Sequence, residues 1–143
     1  MTCQHTCGVA PLPVLDRAVI HGQLGPPGAP LVDELLGLWL GDLDDRVETI
    51  TRAARDGQAG ALAIAAHTLR GSATYVAATR LAHSCAEIER LIDSLAPWPA
   101  IDAAVGAVCA HAAEARAALT EYRSGRLVRT DDIAVRGDRY APA

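Results

Sequence analysis

Apolar residues recur every three or four positions along four long stretches of this 143-residue chain, the spacing of one helix face. The first stretch carries Val32, Leu36, Trp39, Leu43, Val47, Ile50 and Ala54. It begins near Pro30, with Asp33 and Glu34 suited to the positive end of a helix, and stops at Asp56-Gly57. The second covers residues 60–75, and the pattern leaves open whether a break near Val76 separates it from the third. The third is marked by Leu81, Cys85, Ile88, Ile92 and Leu95 and is terminated by Pro97-Trp98-Pro99. The fourth, residues 100–122, has Ile101, Val105, Val108, Ala112, Ala115, Leu119 and Tyr122 as its stripe. Ahead of them a shorter helix over 14–24 turns Leu15, Val19 and Ile20 to one side and ends on Gly25-Pro26-Pro27-Gly28.

Short links between long amphipathic helices favour antiparallel neighbours. The expected fold is therefore all-α, an antiparallel four-helix bundle over residues 13–123 with a short N-terminal helix as a cap. Residues 1–12 read as a flexible N-terminus and 124–143 as a disordered tail, where the periodicity gives way to mixed charges and isolated Gly and Pro.

Composition agrees with helices. Half of the residues are hydrophobic, yet Phe is absent and aromatics make up 3%, so Ala and Leu build the core. A net charge of -4 argues against nucleic acid as a partner. No apolar run is long enough to span a membrane, and Met1 to Cys7 lack the features of a secretory signal, so a cytoplasmic location is expected. Cys85 and Cys109 read as small buried hydrophobes. Cys3, His5 and Cys7 form a C-x-H-x-C cluster, but a structural zinc site needs four ligands and no second pair lies nearby, so no metal is assigned.

The chemistry concentrates in Ala66-His67-Thr68-Leu69-Arg70-Gly71-Ser72. With Leu62 at zero on a helical wheel, Ala66, Leu69, Ala73 and Val76 fall within about 40° of it, and His67 lies at about 140°. His67 therefore points away from the core, which disfavours a buried, structural imidazole. A solvated surface histidine without a role stays compatible with the spacing. Arg70, one turn along, offers a fork of donors to an oxyanion. Ala63 and Gly71 flank the ring one turn away on either side and leave room for a second protein. Glycine inside a helix costs about 1 kcal/mol against alanine, which suggests a steric need at position 71. The remaining histidines, His5, His21, His83 and His111, have no comparable surroundings and are read as ordinary.

The run His67-Thr68-Leu69-Arg70-Gly71-Ser72-Ala73, with Leu81 and Cys85-Ala86-Glu87-Ile88-Glu89, resembles the H-x-L-K-G-S pattern of histidine-containing phosphotransfer (HPt) domains. The likeness extends over about residues 13–122, from Val14-Leu15-Asp16 onward. It implies a four-helix bundle that accepts a phosphoryl group on His67 from a receiver-domain aspartate and passes it to another. It also implies that Arg70 stabilises the phosphoryl group, that Gly71 gives clearance and that Ser72 supports the helix. The docking surface around them is expected to comprise Ala63, Thr74, Tyr75 and Ala77. Two departures stand out: Arg70 replaces the family's lysine, and Ala77 stands where a second glycine is usual. Tyr75 is either part of the docking patch or an idle surface residue.

The resemblance implies response-regulator receiver domains or a hybrid histidine kinase as partners and no cofactor; a monomer is the simplest expectation. An autokinase would need an ATP-binding domain. The dimerisation helices of histidine kinases differ as well, with an acidic residue where Thr68 stands and a proline in place of Ser72. The alternative is a helical binding module for receivers or other signalling proteins that carries no phosphate. A hydrolase or metal enzyme finds no support, since Asp42, Asp44 and Asp45 read as a solvated helix face.

Overall fold

The computed structural model describes residues 12–125. They form α1 (Arg17–Leu24), α2 (Pro30–Arg55), α3 (Ala59–Tyr75), α4 (Thr79–Asp93) and α5 (Trp98–Ser124). Of the expected flexible N-terminus (1–12) and tail (124–143), residues 1–11, with the Cys3, His5, Cys7 cluster, and 126–143 lie outside the described residues. Each long helix packs on its neighbours in sequence, and α5 closes the ring against α2. Short connections make this an up-down antiparallel four-helix bundle.

The core follows the four stripes. Leu36, Leu43, Ile50, Leu62, Leu69, Leu81, Ile88, Val108 and Leu119 are buried, and small Ala66, Ala73, Ala112 and Ala115 let the helices approach closely. The side chain of Trp39 reaches from α2 to α3, where Nε1–H donates to the Ser72 hydroxyl at 2.6 Å and lies 3.1 Å from the Ser72 carbonyl. On the outer side, Arg123 near the end of α5 pairs with Asp33 of α2 through Nε at 2.8 Å. Gly37 gives its guanidinium room, because a Cβ there would stand 2.9 Å from Nη2. The pairing holds the Asp33 carboxyl below the usual range, chiefly through the hydrogen bond from Arg123.

Three successive turns share one design. After α2, α3 and α4 a residue adopts the left-handed region: Gly57 at φ +67°, Ala77 at +59° and Leu95 at +57°. In each, two backbone N–H groups reach back across the last helical turn, as Ala77 N to Thr74 O at 3.0 Å and Ala78 N to Ala73 O at 2.8 Å. This resolves the question at Val76: α3 and α4 are separate helices. It also explains why glycine suits position 77, since an L side chain in this region costs about 1–2 kcal/mol.

The remaining differences from the sequence reading have local causes. Helix α1 starts at Arg17 because Asp16 caps it, its Oδ1 accepting from Val19 N at 3.1 Å. Val19 is 42% exposed, while Leu15 and Ile20 are buried. Helix α4 ends at Asp93, and the left-handed turn throws Leu95 out to 89% exposure instead of into the stripe. Pro97 and Pro99 begin α5 as well as ending the segment before it, proline being at ease in a first turn. Cys109 is exposed, one position past the inward-facing Val108. Ser124 belongs to α5, and Gly125 caps it at φ +78°. Leu12, placed in the flexible N-terminus by the sequence, is held: its carbonyl accepts from Arg80 Nε at 3.0 Å and Nη2 at 2.7 Å.

Candidate functional site

Helix α3 turns Leu62, Ala66, Leu69 and Ala73 into the bundle and presents His67 to solvent, its side chain 66% exposed. Next to it, α4 contributes Glu89. Its Oε2 lies 2.9 Å from His67 Nδ1 and its Oε1 lies 2.8 Å from Arg70 Nε. The second contact is an ion pair by proximity: Oε1 is sealed from water yet receives no aligned hydrogen bond. Arg70 Nη2 also lies 3.2 Å from His67 Nδ1, a contact by proximity only, since a guanidinium can only donate and the shorter contact with Glu89 takes the Nδ1 proton. A carboxylate only accepts, so its contact with Nδ1 requires the proton there. In the neutral ring the lone pair then sits on Nε2, which has no partner among the described residues. Glu89 thus orients the imidazole, sets its tautomer and anchors Arg70.

Glu89 received no role in the sequence reading, although its stretch was part of the resemblance. The signal that finds it is hairpin symmetry. Ala78, in the turn between antiparallel α3 and α4, lies midway in sequence between His67 and Glu89, so the two positions fall at the same height.

The other expected residues sit as follows. Gly71 is exposed, and a Cβ there would meet nothing within 4 Å, so the fold does not require glycine at this position. Ala63 is partly exposed one turn before His67. Thr74 is exposed, and its hydroxyl donates to the Arg70 carbonyl at 2.9 Å. Tyr75 is 54% exposed, with its carbonyl accepting from Gln23 Nε2 at 2.8 Å. Ser72 accepts from Trp39 and ties α3 to α2. Ala77 is a correction: only 3% of it is exposed, its carbonyl accepts from Asp16 N at 2.9 Å, and its methyl group offers nothing to a docking partner.

A groove of about 480 Å³ opens beside His67, between Arg70, Gly71 and Thr74 of α3 and Thr79, Ala82 and His83 of α4. Cys85 is buried in the same helix pair. Burial, reinforced by Glu89 and opposed by Arg70, pushes its thiol up to about 12, so it stays protonated and is no nucleophile at neutral pH. His111 makes a short contact with Ser84 on the other side of α4 and takes no part. Among the described residues no group of three or more His, Cys, Asp or Glu side chains is placed to hold a metal ion, and no helix is long and apolar enough to cross a membrane.

No curated protein and no solved structure matches the chain. The family model of the Hpt domain matches residues 34–125, which takes in α2 from its second turn, all of α3 to α5, and His67, Arg70 and Glu89. The chain therefore belongs to the Hpt domain family, whose members serve histidine phosphotransfer in phosphorelays and act as phosphocarriers.

Proposed function

We propose that this protein is a phosphorelay intermediate in which His67 accepts a phosphoryl group from a receiver-domain aspartate and passes it to the aspartate of another receiver. One observation carries the reading: Nδ1 of an exposed imidazole is bound to a carboxylate while Nε2 is left without a partner. In the forward step the Nε2 lone pair attacks the phosphorus of an aspartyl phosphate. The P–N bond forms as the P–O bond breaks, and the aspartate leaves as a carboxylate. The ring gains positive charge as the new bond forms, and Glu89 faces that charge through Nδ1–H. Arg70 presents its guanidinium to the phosphoryl oxygens. Return to a second aspartate reverses these events. No base is needed, because Nε2 carries no proton.

Supporting the same reading, Gly71 leaves space at the flank of the ring without serving the fold. Incubation with a phosphorylated, radiolabelled receiver is expected to label the chain in an acid-labile, alkali-stable form. His67→Gln removes the label with helix content intact. Full labelling of that variant refutes the role of His67, whereas stable receiver binding without exchange of label leaves a binding module instead of a carrier.

A further inference from the structure

A receiver that brings its aspartate to Nε2 of His67 buries about 800 Å² on each partner, a patch wider than α3 itself. It must therefore spread onto α2 or onto α4. Exposed apolar residues are not shared evenly between these two sides. Among the described residues the helices expose large apolar side chains at Val19 of α1, Leu31 and Leu38 of α2, and Ile64 and Tyr75 of α3, and α4 and α5 expose none.

On the α3 wheel, with Leu62 at zero, Arg70 lies at about 80°, against Glu89 of α4, and Ser72 at about 280°, against Trp39 of α2. His67 stands between them at about 140°. Ile64 and Tyr75, 70% and 54% exposed, fall at about 200° and 220°, on the α2 side of the ring, with Gly71 between them at about 180°. Ile64 is three residues before His67, so the two side chains are surface neighbours. On the same flank a socket of about 330 Å³ opens between α2 and α3, lined by Arg46, Thr49, Ala61, Ile64, Ala65 and Thr68. The Thr68 hydroxyl, next to His67 in the chain, makes no hydrogen bond among the described residues. Arg46 meets Asp42 only at 3.9 Å, which leaves its guanidinium free to donate.

We propose that the receiver docks across α3 and α2, with α4 at the edge of the contact, and that the socket beside Ile64 takes an apolar side chain of the receiver flanked by a carboxylate that pairs with Arg46. The inference rests on His67 being the phosphorylated residue, since that residue fixes where the partner's aspartate must come. Ile64 supplies affinity by losing its exposed apolar surface to the partner. Arg46 selects among receivers by charge.

The test is timed transfer, at varied concentration, from a phosphorylated receiver domain that labels the wild-type chain. Ile64→Gln, which keeps the helix propensity, is expected to raise KM by about tenfold with kcat unchanged, as the chemistry at Nε2 is untouched. Arg46→Glu is expected to lower kcat/KM by about fivefold at low salt and by less at high salt. Arg90→Glu is the control on the other flank, since symmetry about Ala78 sets Arg90 level with Ala66, and it is expected to leave both constants within about twofold. Phosphoramidate labels His67 equally in the three variants, and their thermal unfolding matches wild type because none of the three side chains is buried. In the complex with the unphosphorylated receiver, amide resonances around Arg46 and Ile64 shift and those around Arg90 do not. Shifts on α4 instead, a KM for Ile64→Gln within about twofold of wild type, or equal losses in Arg90→Glu and Arg46→Glu overturn the proposal while leaving the role of His67 standing. Labelling that persists in His67→Gln defeats the underlying reading instead.

Discussion

Gly71 separates what the fold needs from what the partner needs, because the two make opposite demands on one position. It lies inside α3, where glycine is less favourable than alanine by about 1 kcal/mol. Nothing in the structure repays that cost: a Cβ at Gly71 meets no atom within 4 Å. Gly71→Ala is therefore expected to stabilise the protein by about 1 kcal/mol, or about 3–5 °C in Tm for a domain of this size. Gly71→Arg is expected to stabilise the fold by nearly as much, since arginine is almost as good a helix former as alanine and its side chain enters open solvent. Transfer behaves differently. The reacting phosphorus must come within about 3–3.5 Å of Nε2, and a displacement of about 1 Å costs on the order of 100-fold. A long side chain one turn from the ring holds a receiver off by more than that, so Gly71→Arg is expected to slow transfer by at least about 100-fold. The assays are thermal unfolding followed by circular dichroism and timed transfer from a phosphorylated receiver. A small phosphoryl donor such as phosphoramidate still labels His67 in Gly71→Arg, because its approach needs no protein surface. A lower Tm for Gly71→Ala shows that the backbone requires glycine. Transfer by a folded Gly71→Arg within threefold of wild type refutes the clearance argument.

Glu89→Ala releases the ring and Arg70 together, and is expected to slow transfer by about tenfold or more, with Glu89→Gln milder because its amide oxygen still accepts from Nδ1. Equal rates for the three proteins in a stopped transfer assay contradict the positioning role. Leu95→Gly is expected to stabilise the fold by about 0.5–1 kcal/mol in urea unfolding, since the residue is exposed and left-handed; a loss of stability contradicts this. Cys85 makes stability fall in alkali. Its thiol ionises at about 12 when folded against an ordinary value of 9.0, so the unfolded state gains the thiolate first and stability declines between those values as pH rises. At pH 10 this removes on the order of 1 kcal/mol, and Cys85→Ala is expected to lack the effect; parallel alkaline slopes for the two proteins refute the assignment.

The helices and their inward faces were legible in the sequence, because burial along one helix repeats with its own period. Stripes such as Leu62, Ala66, Leu69 and Ala73 needed no partner to be recognised, and the same wheel turned His67 outward. The motif around His67 pointed to the family. Residues near chain reversals read less well. Leu95 continued the α4 stripe on paper, yet a left-handed residue two positions past the helix reversed its direction. Ala77 looked like surface beside the motif, but the N-terminal segment folds over that turn, with Arg80 N donating to Pro13 O at 3.1 Å and Asp16 N to Ala77 O.

What the sequence determined by itself is the set of helices, the face each buries and the histidine that one of them exposes, since these depend on spacing within a single element. Which side chains meet across elements was decided by the tertiary structure alone. The pairing of His67 with Glu89 and the hold of Glu89 on Arg70 both require the relative height and rotation of α3 and α4. Those are set by the packing of Leu69, Ala73, Leu81 and Ile88 between the helices and by the turn at Ala77, so the chemical surroundings of His67 emerge only when the two helices are docked.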